Sequence, residues 1–373
     1  MDEMHTSLSD WKNKIAALDR LIGEWVFLRI LRFLQPKYAG EEVDLPKDSY
    51  VQKYYPGLEG KSKADLYHQS LFESYIRVLQ QPVNIDGALG WAYYRKVIPI
   101  KYSFPLAEFP WKSYLKPTFC WVQLKLLFKG NVYELDRAVN LLWYGWENYH
   151  HFLTDLIPTL SKILTSEYRS LPILVPEAAF SLPFVREFLA IFPYFTELDF
   201  HLVPASGIVK VRQQVVFVKA SKYLDTINYF KISPFADSIG CIPAKGIEKI
   251  FLYRSKRSRR NLSNNEEVIE FLELQGFTCI DTSALSLKDQ ISTFKSVKVC
   301  VGVHGAGLTN LVFAQGEYKL IEILFGGAYQ PPHYLHQSLF MHATYLPVKG
   351  TDLTKDLVFS VKIDDLKQAL DAI

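Results

Sequence analysis

No Asp-x-Asp pair occurs anywhere in the 373 residues. A metal-held diphosphate wants such closely spaced carboxylates, so any nucleotide chemistry in this chain is expected to be metal-independent. Two phosphate-binding fingerprints are missing as well: there is no Gly-x-Gly-x-x-Gly and no glycine loop ending in Gly-Lys-Ser/Thr, which sets aside the dinucleotide fold motif and the P-loop. The four cysteines, Cys120, Cys241, Cys279 and Cys300, form no Cys-x-x-Cys pair, so zinc held by that spacing is excluded. Cys279 and Cys300 fall in strand-like runs and read as small buried hydrophobes; nothing calls for an oxidising compartment. His333 and His336 lack a third ligand at a usual spacing. Net charge is only +3, and no basic run alternates with aromatics, which argues against a nucleic-acid partner. Repeats and low-complexity tracts are absent too.

Long apolar runs are also missing. The first residues, Met1-Asp2-Glu3, do not show the basic-then-apolar pattern of a signal peptide. The segment Leu21–Leu34 is interrupted by Glu24, Arg29 and Arg32, and a bilayer span needs about 20 apolar residues. It reads either as an ordinary helix packed on its own domain or as an amphipathic helix lying on a membrane, anchored by Trp25 and Phe27. The expected location is cytoplasmic, with peripheral contact at the inner membrane face as the second option.

What is present describes a folded protein. Hydrophobic residues make up 49% and charged residues 22%, and the length favours two domains. Residues 1–35 read as helical, 36–62 as irregular, and 90–135 as short strands and loops broken by prolines. From about residue 137 strands and helices alternate: strands at 138–144, 171–175, 200–203 and 215–218, and helices at 148–164, with Pro158 as a possible kink, and 183–191. Residues 220–245 read as a crossing between domains. A second alternating unit follows, with strands at 249–253, 277–281, 298–303, 319–324 and 344–348 and helices from Asn264, from Ser286 and over 364–373. Asn264 with Glu267 has the spacing of a capping box. Regular alternation implies parallel sheets with right-handed crossovers, with ligands at the carboxyl ends of strands.

Four features carry chemistry. The chain is organised around Val297–Asn310, an apolar β-branched strand running into His304-Gly305-Ala306-Gly307 and a helix start at Leu308. The glycines allow a sharp bend and close ligand approach, and bare amides at the new helix suit a diphosphate. In Asn148-Tyr149-His150-His151-Phe152-Leu153-Thr154-Asp155, positions 148, 151 and 155 fall on one helix face. A histidine held by a carboxylate is a general-base arrangement; a surface-polar face or a buried histidine satisfied by its neighbour is the plainer reading. Arg254 to Arg260 is a dense basic loop between a strand and a helix. Guanidinium grips phosphate bidentately, although charge runs are usually solvated. Glu322, alone in the apolar run Leu320–Leu324, needs a partner if buried, either ribose hydroxyls or a basic neighbour.

The run His304-Gly305-Ala306-Gly307-Leu308-Thr309-Asn310, with Phe313 and Leu320-Ile321-Glu322-Ile323 after it, resembles the signature of glycosyltransferase family 61. The segment Asn148–Asp155 is similar to that family's Asn-x-x-His-x-x-x-Asp, and Arg254 to Asn264 to its strand-then-Arg segment. Tyr253 stands where the family often has serine. The likeness spans about residues 140–325. It implies an α/β, GT-B-like fold: two facing Rossmann-type domains with a cleft between them. Residues 1–240 would form the acceptor-side domain carrying the base. Residues 241–373 would form the nucleotide-sugar domain, the last helix free to pack back on the first. It implies an inverting transfer of sugar from a nucleotide donor, often a UDP sugar, to a glycan hydroxyl in polysaccharide biosynthesis, with no further cofactor. His151 would be the base and Asp155 its partner; the reverse assignment stays open. His150 would be spare, free to hydrogen-bond Thr154. Asn148, Arg254, Arg260, His304, Gly305, Ala306, Gly307, Leu308, Thr309, Asn310 and Glu322 would bind the nucleotide sugar, Glu322 at the ribose. The rivals are a non-catalytic glycan- or nucleotide-binding protein of the same fold and another nucleotide-dependent transferase or epimerase.

Overall fold

The computed structural model describes residues 40–44, 75–88, 90–94, 98–99, 130–142, 145–218, 230, 234–254, 260–325, 333–351, 354 and 357–373. The amino-terminal helix and its membrane-surface alternative lie outside the described residues. Among the described residues no helix is long and apolar enough to cross a membrane.

Among the described residues the first sheet holds nine strands: β1 (Gly40–Asp44), β2 (Tyr75–Leu79), β3 (Val83–Asp86), β4 (Ala92–Tyr94), β5 (Ile98–Pro99), β6 (Asn131–Asn140), β7 (Ile173–Pro176), β8 (Phe200–Val203) and β9 (Ile208–Val218). Their order is β5-β4-β3-β9-β6-β7-β8. The long β9 takes β3 and then β2 along one edge, and β1 pairs with β2. Pairs β9–β6, β6–β7 and β7–β8 are parallel, and the rest are antiparallel. This half is therefore not the all-parallel unit expected from the sequence. The reason is connection length. A tight turn, Gly90 N–H to Asp86 O at 2.7 Å, joins β3 to β4 and permits only antiparallel pairing, whereas helices bridge β6 to β7 and β7 to β8. The expected strand at 138–144 is the end of the ten-residue β6. The sheet curls until β8 meets β6 again, where Tyr133 Oη donates to Leu202 O at 3.1 Å.

The second sheet, β10 (Lys249–Leu252), β11 (Thr278–Ile280), β12 (Val299–Val303), β13 (Lys319–Leu324) and β14 (Thr344–Lys349), runs β11-β10-β12-β13-β14 with every pair parallel. Around the two sheets lie α1 (Tyr149–His151), α2 (Ile157–Leu164), α3 (Pro183–Ile191), α4 (Pro234–Gly240), α5 (Asn265–Leu274), α6 (Leu287–Phe294), α7 (His333–Phe340) and α8 (Ile363–Asp371). A π segment, Phe152–Leu156, joins α1 to α2, and a 3-10 helix, Ala306–Phe313, follows β12.

One apolar core runs through both halves. It joins Val139, Phe152, Leu156 and Phe188 to Phe294, Leu308, Leu311 and Phe313, and Phe230 packs edge-on to Phe313 at 5.3 Å. The halves are thus welded along this layer. Lys295 Nζ, at the end of α6, donates to Gly240 O at 2.9 Å and to Ile242 O, which ties down the crossing segment. The outer face of the second sheet is covered by α5 and α8, with Leu366 buried among Phe251, Val301, Ile321 and Val361. The last helix therefore packs on its own sheet and does not return to the first half, because its apolar stripe matches that face. Asn264 does not cap α5 through the expected box. Its side chain accepts from Val361 N–H at 3.2 Å and donates to Val361 O at 2.8 Å, stitching the incoming end of α8 to α5.

Candidate active site

The corner at the end of β12 is built by space as much as by conformation. His304 N–H bonds Ile323 O at 3.0 Å, extending the ladder past Val303. Gly305 is extended (φ 169°, ψ 169°), a conformation open to any residue. What demands glycine is Arg254: a Cβ at position 305 would lie 1.9 Å from Arg254 Nη1. The helix that follows is 3-10 and not α, opening with Leu308 N–H to Gly305 O at 3.0 Å. Ala306 and Gly307, half-buried in its first turn, have no carbonyl ahead of them in the helix to receive their amides.

Arg254 leaves the carboxyl end of β10 half-buried, and its Nε is buried without a hydrogen-bond partner. No carboxylate among the described residues pairs with it. Burial first, and then the neighbouring Arg260, pull its guanidinium below the ordinary value. Arg260 itself sits in the left-handed region (φ 65°) with its guanidinium 5.9 Å above the Phe325 ring. Two cations drawn together, with the charge of Asp281 only a minor counterweight, describe a place suited to an anion.

His304 and Glu322 are both buried, their side chains 4% and 1% exposed, with Nδ1 to Oε1 at 2.5 Å. Tyr345 Oη donates to the other oxygen of Glu322 at 2.6 Å. Both oxygens of Glu322 are thus already engaged by neighbouring strands, so a ribose hydroxyl expected there would have to share them. Leu308, Thr309 and Asn310 are all wholly buried. A tight 3-10 turn swings them inward: Leu308 packs over Gly302, and the other two join the halves of the molecule. His150 Nδ1 and Thr309 Oγ1 lie 2.8 Å apart. Tyr149 Oη donates to Asn310 Oδ1 at 2.5 Å, while Asn310 Nδ2 donates to Gln290 Oε1 at 2.7 Å. Burial, and then the charge of Glu187, push the Tyr149 hydroxyl well above its usual range, so it acts as a donor.

On the other half, His151 Nδ1 and Asp155 Oδ2 are 2.7 Å apart, with side chains 42% and 14% exposed. The helix carrying them changes pitch for a local reason. Pro158 has no N–H to give to Thr154 O, and Ile157 N–H reaches back five residues to Phe152 O. Thr159 Oγ1 serves Asp155 O at 2.8 Å. Gly145, in the left-handed region (φ 61°), backs the imidazole: a Cβ there would stand 3.3 Å from His151 Cβ. Asn148 caps the helix, its Oδ1 accepting from His150 N–H at 2.9 Å. His150 is not spare. Thr154 Oγ1 bonds its carbonyl at 2.8 Å, and its ring turns to Thr309.

These pieces meet. His151 touches the His150 ring (5.6 Å between centroids), His150 touches Tyr334 (5.8 Å), and Tyr334 touches His304 (5.4 Å). Tyr334 Oη donates to Gly305 O at 2.5 Å. His333 stands between His150 (5.1 Å) and His304 (6.3 Å). Sequence reasoning missed Tyr334 and Tyr345, which sit in ordinary helix and strand patterns, and considered His333 only for zinc. Among the described residues no group of three or more metal-ligating side chains occurs.

Residues 149–321 match the family model described as Glycosyltransferase 61. A protein of Oryza sativa subsp. japonica, beta-1,2-xylosyltransferase RCN11, is 32% identical over 118 residues, 28% of this chain and 22% of its own length. The chain thus spans about a fifth of that relative. The matched region holds both helix residues of the imidazole–carboxylate couple, Arg254, Arg260 and the whole glycine corner; Asn148 and Glu322 stand just outside it.

Proposed function

Because residues 149–321 carry glycosyltransferase 61 sequence, we propose that the chain transfers a sugar from a nucleotide donor, UDP-linked, to a hydroxyl of a glycan acceptor. The reading is GT-B-like: residues 241–373 hold the nucleotide, and residues 1–240 carry the base and the acceptor surface. The observation that carries it is the half-buried Arg254 guanidinium, unpartnered at Nε and laid against Gly305 beside the first-turn amides, where the adjoining His304 ring stands two ring contacts from His150 and three from His151.

In the step, the acceptor oxygen bonds the anomeric carbon from the face opposite the diphosphate, and configuration inverts. The bond from that carbon to the phosphate oxygen breaks, and its electron pair leaves with UDP. The hydroxyl proton passes to His151 Nε2, while Asp155 keeps the Nδ1 proton in place. Charge growing on the diphosphate is met by Arg254, Arg260, the amides of Ala306 and Gly307, and His304. These fixed cations and amides support a metal-independent reaction.

The rice relative's name specifies xylose and a β-1,2 linkage, so UDP-xylose heads the panel. Incubation with UDP, GDP and CMP sugars and glycan acceptors, reading released nucleotide, tests the proposal. UDP release that depends on acceptor supports transfer. Nucleotide binding with no release from any donor favours the non-catalytic reading. Conversion of the sugar while still attached to its nucleotide favours an epimerase.

A further inference from the structure

We propose that Glu322 and Tyr345 are positioning residues for His304, and that the imidazole, held between Glu322 and an anionic oxygen of the donor's diphosphate, takes up one proton when the nucleotide binds. The proposal rests on the nucleotide-sugar reading above and adds to it a second, buried imidazole–carboxylate couple with a different task.

Sheet register creates the couple. Gly302, Glu322 and Pro347 lie opposite one another on β12, β13 and β14. Side chains two residues apart share a sheet face, so His304 and Tyr345 are diagonal neighbours of Glu322 from either side. Between Ile321 and Ile323 a carboxylate is costly unless its oxygens are bonded, and both are. Burial, and then the charge of Glu322, push the Tyr345 hydroxyl up, so it keeps its proton and donates. The same carboxylate holds the Nδ1 proton of His304 and thereby fixes the ring.

No described residue hydrogen-bonds the other nitrogen, Nε2. The groups around the ring are Tyr334 and His333 from α7, Phe325 beyond β13, Arg254 against the next residue, Arg260 above Phe325, and His150 behind Tyr334. Among the described residues only Glu322 gives the ring an anionic partner. A neutral ring with its proton on Nδ1 would aim a lone pair at an incoming phosphate oxygen. A second proton, taken from solvent, turns that repulsion into an N–H donor between two anions. The complex then holds one proton more than free protein and nucleotide, so affinity falls as pH rises, by up to about tenfold per pH unit.

Titration calorimetry of UDP at slightly alkaline pH, in two buffers of different ionisation enthalpy, counts the proton. Native protein is expected to show uptake near one. Glu322→Gln is expected to lose that uptake and to bind UDP about tenfold more weakly. Tyr345→Phe should keep the uptake with a smaller loss of affinity. If Glu322→Gln does not fold, His304→Asn carries the test, since its amide still bonds Glu322 while the titrating ring is gone. A role limited to sealing the strands would lower the melting temperature and leave the proton count untouched. UDP binding by native protein without uptake, or uptake that persists in Glu322→Gln or His304→Asn, overturns this proposal alone. No UDP binding by native protein overturns the nucleotide-sugar reading and this proposal together.

Discussion

The molecule contains two imidazole–carboxylate couples with the same bond and opposite surroundings. In both, Nδ1 faces the acid, at 2.7 Å for His151–Asp155 and 2.5 Å for His304–Glu322. The first stands half-open at a change of helical pitch, and the second is sealed between strands. A base must meet an acceptor arriving from solvent and pass its proton on to solvent, which only the open couple can do. The sealed ring is held from behind and has one nitrogen left for a partner already bound. The bond alone therefore does not assign a role; burial does.

The largest expected effect breaks the open couple. His151→Ala should lower turnover of the donor by roughly 10²- to 10⁴-fold, measured as acceptor-dependent UDP release. Retained turnover would move the base elsewhere, and Asp155, the other member of the open couple, is then the next candidate. A smaller effect sharpens the sealed side. Gly305→Ala places a methyl group against Arg254 Nη1, so the guanidinium must swing away. UDP affinity should fall by roughly tenfold, the loss of about one charge-assisted hydrogen bond, with the melting temperature little changed. The smallest concerns the seam between the couples. Thr309→Val removes the hydroxyl facing His150 Nδ1 and should destabilise the fold by about 1–3 kcal/mol, the cost of a buried polar group left unpaired. Chemical denaturation would read it. An unchanged midpoint would mean that the seam is held by Tyr149–Asn310 and the shared apolar core.

The legible parts of this architecture were those that depend on local pattern. Strands Phe200–Val203 and Lys319–Leu324 and helix Pro183–Ile191 follow from residue type and spacing, and the structure has them at the expected bounds. His151 and Asp155 pair because four residues make about one helical turn. What the chain did not disclose depends on neighbours distant in sequence. Nothing around Tyr334 or Tyr345 marks them, since their targets, Gly305 O and Glu322, lie 29 and 23 residues away. Thr309 and Asn310 sit in a motif that suggests a ligand, yet a 3-10 turn directs them inward to His150 and Tyr149. Only register across β12, β13 and β14 shows that Glu322 has two protein partners already.

The account stands on a division of labour between the nucleotide corner and the open couple. Titrating UDP into native protein, Arg254→Met and His151→Ala side by side tests it most directly. The expected result is a loss of affinity of roughly 10- to 100-fold in Arg254→Met and affinity within about threefold of native in His151→Ala, less than the energy of one hydrogen bond to a charged group. Affinity lost in His151→Ala and kept in Arg254→Met would contradict it.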